Sequence, residues 1–363
     1  MSFRYKRITV KIGSNVLTRP DGTLDVTRMS ALVDQVAALY KAGVEVILVS
    51  SGAVASGRNE LKVSKKLDAV SARQLYSAVG QAKLINRYFE LFRDHGMACG
   101  QVLTTKENFS TRDQYLNQRN CIRTMLDNGV IPVVNENDTI SVTELMFTDN
   151  DELSGLIATM MGMEALVLLS NIDGIYDGDP SLPASKVIRE IEPEKQPDIS
   201  QFIQTRRSSF GRGGMTTKFN TARKVADEGI AVIIANGKRE NILIDLLRRD
   251  GDMVCTRFIP SPHPISGVRK WIAHSDDFSK GEVAINAGAF EALQKSRATS
   301  LLPVGIIDVK GDFEKDDIVK ILCDGRQVGV GRIAADSEKV RTLIGAKGGR
   351  PVIHCDYMYL DFQ

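Results

Sequence analysis

The sequence holds little of what a disulfide framework, a metal centre or a membrane span would need. Its 363 residues include five cysteines, Cys99, Cys121, Cys255, Cys323 and Cys355, an odd number scattered far apart. Thiols placed this way read as reduced and packed as small hydrophobes, the pattern of a cytoplasmic protein. The four histidines, His95, His263, His274 and His354, show no ligand spacing, so no protein-built metal site is expected. No apolar run approaches the roughly 20 residues that cross a bilayer, which argues against a membrane partner. The opening Met1-Ser-Phe-Arg-Tyr-Lys-Arg leads into a strand pattern without an apolar signal region. Charge of one sign is missing too: a formal net +2 creates no whole-chain field for a polyanion. There is no fixed-period repeat, no low-complexity tract, no Walker A loop and no dinucleotide fingerprint. What remains is a soluble, cytoplasmic, globular chain with length for roughly two domains.

The chain does contain a sustained alternation of strand and helix. Ile8–Gly13 reads as a β-branched strand, Thr27–Ala42 as a helix stopped by Gly43, and Val44–Val49 as a buried strand. A long helical pattern covers about Ala72–Arg93, and another includes Cys121, Ile122, Met125 and Leu126 before Asn128-Gly129. The strand Val130–Val134 follows, then a short hairpin arm at Thr143–Thr148 and a helix opening at Asp149-Asn150-Asp151. Ala165–Leu169 and Ile230–Ile234 are further strands, with a helix from Lys218 to Gly229 before the second. Several strands are continuous apolar runs, so both sheet faces are covered. That predicts a three-layer αβα sandwich with a mainly parallel sheet.

Past Phe258 the composition changes. Ile259-Pro-Ser-Pro-His-Pro264 is a proline-rich connector, and short strands with glycine-punctuated turns follow it. The expected division is a domain over 1–258, a linker over 259–275 and a small, mostly β barrel of about eighty residues over 276–363.

In parallel sheets ligands bind beyond the carboxyl ends of strands, and the polar clusters of this chain all follow strands. Lys11 lies inside the apolar strand Val10-Lys11-Ile12-Gly13. It is either an edge-strand lysine facing water or a cation for phosphates, with Gly13 letting a ligand approach the backbone. Gly211-Arg212-Gly213-Gly214-Met215-Thr216-Thr217-Lys218 offers open backbone N–H groups, two threonines able to cap a helix and a lysine opening a helical pattern. It reads as a surface loop or as one wall of an anion site, with Lys218 as a second cation. Two lysines and backbone donors would suit phosphoryl transfer, which needs positioning and charge neutralisation. Asn135-Glu136-Asn137-Asp138 and Asp149-Asn150-Asp151 can bind an ammonium group, hold Mg²⁺ through water, orient a lysine, or simply cap and turn the chain. Asp149 sits where a helix N-cap belongs. Ser51-Gly52-Ala53 could offer a hydroxyl and N–H groups to a carboxylate; a serine nucleophile lacks a paired histidine.

VKIGS (10–14), VSSGAVASG (49–57), NENDTI (135–140), DNDELSG (149–155) and GGMTTK (213–218) resemble, in order and spacing, the glutamate 5-kinase family of the amino acid kinase superfamily. Positions 281–345, with SLLPVGI (300–306) and VGVGRI (328–333), are similar to its C-terminal PUA domain. The resemblance implies ATP-dependent phosphorylation of the γ-carboxylate of L-glutamate, with Mg²⁺ accompanying ATP. It implies that Lys11 and Lys218 stabilise the transferring group, that Asp151 orients them, and that Ser51, Gly52, Asp138 and Asn150 hold glutamate, Asp138 at its α-ammonium. Lys11, Gly13, Ser170, Asn171 and Arg212, Gly213, Gly214, Met215, Thr216, Thr217 and Lys218 would border the nucleotide. Inhibition by proline and a homo-oligomer, dimer or tetramer, are further implications. The family commonly has threonine at the place of Arg212 and Thr-Asp at that of Ser170-Asn171, so Arg212 either adds a cation or points to solvent. The alternatives are a superfamily relative acting on aspartate or an acylated glutamate, and a PUA-type RNA-binding or regulatory protein. From Asp276 onward, 12 Lys and Arg against 14 Asp and Glu leave a net −2, which does not favour RNA.

Overall fold

In Arg7–Ile12 (β1), Ile8, Val10 and Ile12 alternate with Thr9 and Lys11, which makes a strand with two distinct faces. The structure, a computed structural model, describes residues 2–61, 63, 64, 66–109, 112–140, 147, 149–180, 182–192, 214–262, 279–295 and 299–360. Among these, β1 is joined by β2 (Glu45–Ser50), β3 (Ala98–Thr104), β4 (Val130–Glu136), β5 (Ala165–Ser170), β6 (Glu190–Ile191), β7 (Ala231–Asn236) and β8 (Thr256–Phe258). The sheet order is β3-β4-β2-β1-β5-β7-β8-β6, and every pairing is parallel except β7 with β8.

Between these strands the chain forms α1 (Ser14–Leu17), α2 (Val26–Lys41), α3 (Ala53–Glu60), α4 (Ala69–Asp94), α5 (Arg112–Asp127), α6 (Asn150–Met161), α7 (Met215–Asp227) and α8 (Ile242–Leu247). Ile8, Val10 and Ile12 join Met29 and Val36 of α2, Leu84 and Tyr88 of α4, and Leu243 of α8 in one apolar cluster. Each fully buried aliphatic side chain there contributes about 1.5–3 kcal/mol. On the other face α6 packs over β1 and β5, and α7 packs over α6 and β7. The three-layer sandwich and its mainly parallel sheet are as the alternation implied.

Several expectations shift. The long helix begins at Ala69, because Asp68 caps it by accepting from the N–H groups of Val70 and Ser71. Strand β3 was not foreseen: Ala98-Cys-Gly-Gln-Val-Leu-Thr104 is an edge strand with exposed positions and no clean alternation. Helix α3 opens directly after Gly52, where Ser51-Gly52-Ala53 was expected to stand at a helix start. The hairpin arm expected at 143–148 falls outside the described residues apart from Phe147, as does most of the 259–275 linker.

The chain divides into two compact units, Met1–Lys106 with Asn117–Pro264, and Glu107–Leu116 with Ile265–Gln363. The second holds β9 (Gly281–Ile285), α9 (Ala287–Lys295), β10 (Ile306–Gly311), β11 (Ile318–Cys323), β12 (Arg326–Ile333), α10 (Ser337–Thr342) and β13 (Ile353–Leu360). Its strands form a separate sheet in the order β10-β9-β11-β12-β13, with its own core around Val283, Ile285, Val319, Ile321 and Ile353.

Candidate active site

Lys11 is the penultimate residue of β1, in register with Val49 of β2 on one side and Leu168 of β5 on the other. It is therefore a central-strand lysine, and the water-facing edge alternative is excluded. The chain leaves β1 toward β2 and returns to its other side as β5, so a crevice opens beyond the end of β1. Lys11 is 5% exposed, and its Nζ lies 2.5 Å from Oδ1 of Asp151. From α7, Lys218 Nζ reaches the other oxygen, Oδ2, at 2.8 Å.

Asp151 is fully buried in the first turn of α6, where the helix dipole favours a negative charge. Burial works to raise its pKa, but the Lys11 and Lys218 ammonium groups overcome that and hold it down at about 2. Burial likewise works to lower the Lys218 pKa, and Asp151 raises it above the ordinary lysine value. Each oxygen of the carboxylate thus takes one ammonium group, in a short, charge-assisted contact. Asp149 is the other carboxylate bearing on these lysines, and in this nearly dry place the spare N–H donors of the two ammonium groups suit an anion.

One glycine makes this convergence sterically feasible, and a second stands beside Lys11. A Cβ on Gly155 of α6 would stand 2.9 Å from Thr221 Cγ2 and 3.0 Å from Val225 Cγ2, so its absence lets α7 approach. A Cβ on Gly13 would lie 3.0 Å from the Leu169 carbonyl and 3.7 Å from Lys11 Nζ. Asp149 is the N-cap of α6 and accepts from the N–H groups of Asp151 and Glu152 at 2.9 and 3.1 Å. Its second oxygen accepts the Thr217 hydroxyl at 2.8 Å, which ties the start of α7 to the start of α6.

The beginning of α7 corrects the expectation that a threonine would cap a helix opened by Lys218. The helix begins at Met215, with extended Gly214 as N-cap and no side-chain cap bond. Thr217 lies in the first turn because Asp149 and the Gly214 carbonyl both accept its hydroxyl. Thr216 is exposed there. Gly211, Arg212 and Gly213 lie outside the described residues.

A second cluster gathers at the ends of β2 and β4. Gly52 adopts φ 105°, a left-handed conformation that glycine accepts at no steric cost, and it turns the chain from Ser51 into α3. Asn150 Nδ2 lies 3.0 Å from Ser51 Oγ, 3.0 Å from Asn135 Oδ1 and 3.2 Å from the Ser50 carbonyl. Asp138, just past β4, is 5% exposed. Its Oδ1 accepts Arg73 Nε at 2.6 Å, and Arg73 Nη2 also donates to Glu136 Oε2 at 2.7 Å. Burial and then the Asp138 carboxylate push Glu136 up to about 7, against the pull of Arg73. Ser170 and Asn171 stand at the end of β5, 3.4 Å apart through Oγ and Oδ1.

Arg73 was not among the residues expected to matter, and Glu136 was singled out only as a member of the Asn135–Asp138 cluster. The one signal for Arg73 is that its neighbours on the helix face, Ala69, Val70, Tyr76 and Ser77, include no acid to pair with. Among the described residues, the group of three side chains close enough to share a metal ion is His354, Cys355 and Asp356 in the second unit, with Cys355 half-buried and the other two exposed. At the sheet rim, Asp151 is already matched by two ammonium groups, so the donors there suit phosphate oxygens. A divalent cation carried in by a nucleotide keeps mostly phosphate and water ligands and fits that setting.

Buried lysines converging on one carboxylate at the switch point of a parallel αβα sandwich suit the transfer of phosphoryl groups, and the chain belongs to the amino acid kinase family, whose model matches residues 6–236. A PUA domain model matches residues 281–351. Within the amino acid kinases the chain falls among the glutamate 5-kinases. It is 67% identical over 362 residues to a glutamate 5-kinase of Bacteroides thetaiotaomicron, covering 99% of this chain and 100% of that one. With a glutamate 5-kinase of Chlorobaculum tepidum it shares 46% identity, over 98% of each chain. Among solved structures, a carbamate kinase from Giardia lamblia bound to AMP-PNP aligns with TM-score 0.51 at 15% identity, over 71% of this chain and 99% of that one. An isopentenyl phosphate kinase substrate complex aligns with TM-score 0.50 at 16% identity, over 69% and 99%. These two share the fold.

Proposed function

We infer that the chain transfers the γ-phosphoryl group of ATP to the γ-carboxylate of L-glutamate, giving L-glutamyl 5-phosphate for proline biosynthesis. The observation that carries the chemistry is the pair Lys11 and Lys218 on the two oxygens of buried Asp151. A side-chain carboxylate is ionised at neutral pH, so the attacking oxygen needs no general base. That oxygen bonds to the γ-phosphorus as the bond from phosphorus to the β–γ bridging oxygen breaks, and ADP leaves. Charge on the transferring group is met by the two ammonium groups, placed before the reaction starts. Asp151 aims both lysines, and each ammonium group, with three N–H donors, keeps donors for phosphate oxygens while one is held by the carboxylate. Mg²⁺, bound with the nucleotide, would screen the charge of the phosphate chain.

Ser51, Gly52 and Asn150 hold the amino acid, and Asp138 takes its α-ammonium. Gly13, Ser170, Asn171 and the segment Arg212–Lys218 border the nucleotide. In the same reading residues 1–258 are the catalytic domain, 259–275 the linker and 276–363 the PUA domain. The enzyme is a cytoplasmic homo-oligomer, a dimer or tetramer, restrained by proline.

The test is the purified chain with MgATP, hydroxylamine and a panel of acids. Glutamate should give an acyl phosphate trapped as a hydroxamate; a signal with aspartate or an acylated glutamate in place of glutamate would overturn the substrate assignment.

A further inference from the structure

One ion cluster lies beside the Lys–Asp–Lys site and takes no part in the transfer itself. Arg73 projects from α4 between the carboxylates of Glu136 and Asp138, and the three side chains are only 18%, 3% and 7% exposed. Its Nε and Nη2 converge on Asp138 Oδ1, while Nη2 also donates to Glu136 Oε2. Glu136 Oε1 accepts the Phe147 N–H at 2.9 Å. Asp138 Oδ2 faces the Ser77 hydroxyl at 3.5 Å, the outer limit of a hydrogen bond, so this oxygen keeps capacity for a ligand. The same helix pins the backbone of the segment: Gln81 Nε2 donates to the Glu136 carbonyl and Gln74 Nε2 to that of Thr139. Two carboxylates brought this close repel each other, and a buried pair persists only with a cation in contact or a proton held on one of them.

We propose that Arg73 is a positioning residue for recognition of the amino acid's ammonium group, acting by clamping Asp138 to Glu136 and setting the charge of the cluster. This rests on the assignment of Asp138 to the α-ammonium of glutamate. With both carboxylates ionised, Arg73, Glu136 and Asp138 sum to one negative charge, which an ammonium group neutralises. With Glu136 protonated the sum is zero and the attraction weakens. The charged groups bearing on Glu136 are Arg73 from α4 and Asp138 from its own segment. Its position near 7, set by burial and Asp138 against Arg73, places the change of charge at neutral pH. The KM for glutamate should therefore fall as pH rises through about 7.

The experiment measures initial rates of the full chain between pH 6 and 8.5, roughly the span over which such a group changes charge, with Arg73→Gln, Arg73→Lys and Glu136→Gln beside the parent. Arg73→Gln should raise the glutamate KM by about tenfold or more, as loss of a charged hydrogen-bond partner does. The kcat and the KM for ATP should stay within about twofold, since the Lys11–Asp151–Lys218 group keeps its contacts. Arg73→Lys should recover most of the loss. Glu136→Gln should flatten the pH dependence of the glutamate KM at its high value, because the cluster is then neutral throughout. Thermal melting of each variant separates misfolding from a changed site; if Arg73→Gln does not fold, Glu136→Gln and Arg73→Lys carry the test. An unchanged glutamate KM in Arg73→Gln, or an unchanged pH profile in Glu136→Gln, overturns the proposal. If the parent forms hydroxamate from glutamate, such a result counts against Arg73 alone; if it does not, the substrate assignment fails instead.

Discussion

A Cβ placed on Gly80 would come within 1.8 Å of the carbonyl oxygen of Ala53, so helices α3 and α4 cross with their backbones in contact. Gly57 stands in the same relation to the Tyr76 carbonyl, also at 1.8 Å. Because Ala53 directly follows Ser51-Gly52, and Arg73, Gln74 and Gln81 hold the 136–139 segment, α4 braces both edges of the second cluster at once.

Gly80→Ala must separate the two helices. The expected loss is about 1–3 kcal/mol, as in overpacked cores, with a raised glutamate KM because the Ser51-Gly52 turn moves. Denaturant unfolding and initial rates measure both; a fully stable variant would show that the crossing tolerates a methyl group.

Lys218→Ala removes one of the two cations facing the transferring group. A contact that strengthens in the transition state appears in kcat, so kcat should fall by about 10²-fold or more with little change in the glutamate KM. Steady-state kinetics with both substrates decide it, and an intact kcat would remove Lys218 from the mechanism.

Asp138→Ala should do the reverse. Loss of the carboxylate that takes the ammonium should raise the glutamate KM by about tenfold or more and leave kcat nearly unchanged. Intact glutamate affinity would refute the role.

Asp151→Asn leaves two buried ammonium groups facing a neutral amide. Breaking a buried ion pair from one side costs about 3–5 kcal/mol. In the parent, Asp151 titrates at about 2 when folded against 3.8 ordinarily, so its stabilisation is complete above 3.8 and disappears as pH falls to about 2. Unfolding followed against pH should show the variant less stable at pH 7 and with a shallower acid limb. Identical acid limbs would mean that Asp151 is not the titrating group.

Much of this was legible in one dimension. Short continuous apolar runs such as Ala165–Leu169, recurring between helical patterns, fit strands covered on both faces, which puts helices on each side of a parallel sheet. The cap at Asp149 was equally readable, since a short acid before an apolar periodic run satisfies free N–H groups wherever it occurs. Helix α7 was less so: whether Gly214, Thr216 or Thr217 caps it depends on what accepts the threonine hydroxyl, and that acceptor, Asp149, is far away in the chain. Arg73 was invisible for the same reason, because its partners Glu136 and Asp138 lie more than 60 residues on.

The sequence by itself determined which chemistry was on offer: a lysine inside a strand, a glycine after it, carboxylates and amides at strand ends. These follow from local rules of burial, capping and backbone freedom. Only the tertiary structure decided that Lys11 and Lys218, more than 200 residues apart, share the two oxygens of one buried carboxylate. That meeting depends on strand order, which places β1 between β2 and β5, and on Gly155, which lets α7 come close enough to α6. Distance in space is set by packing between layers, and no spacing along the chain encodes it.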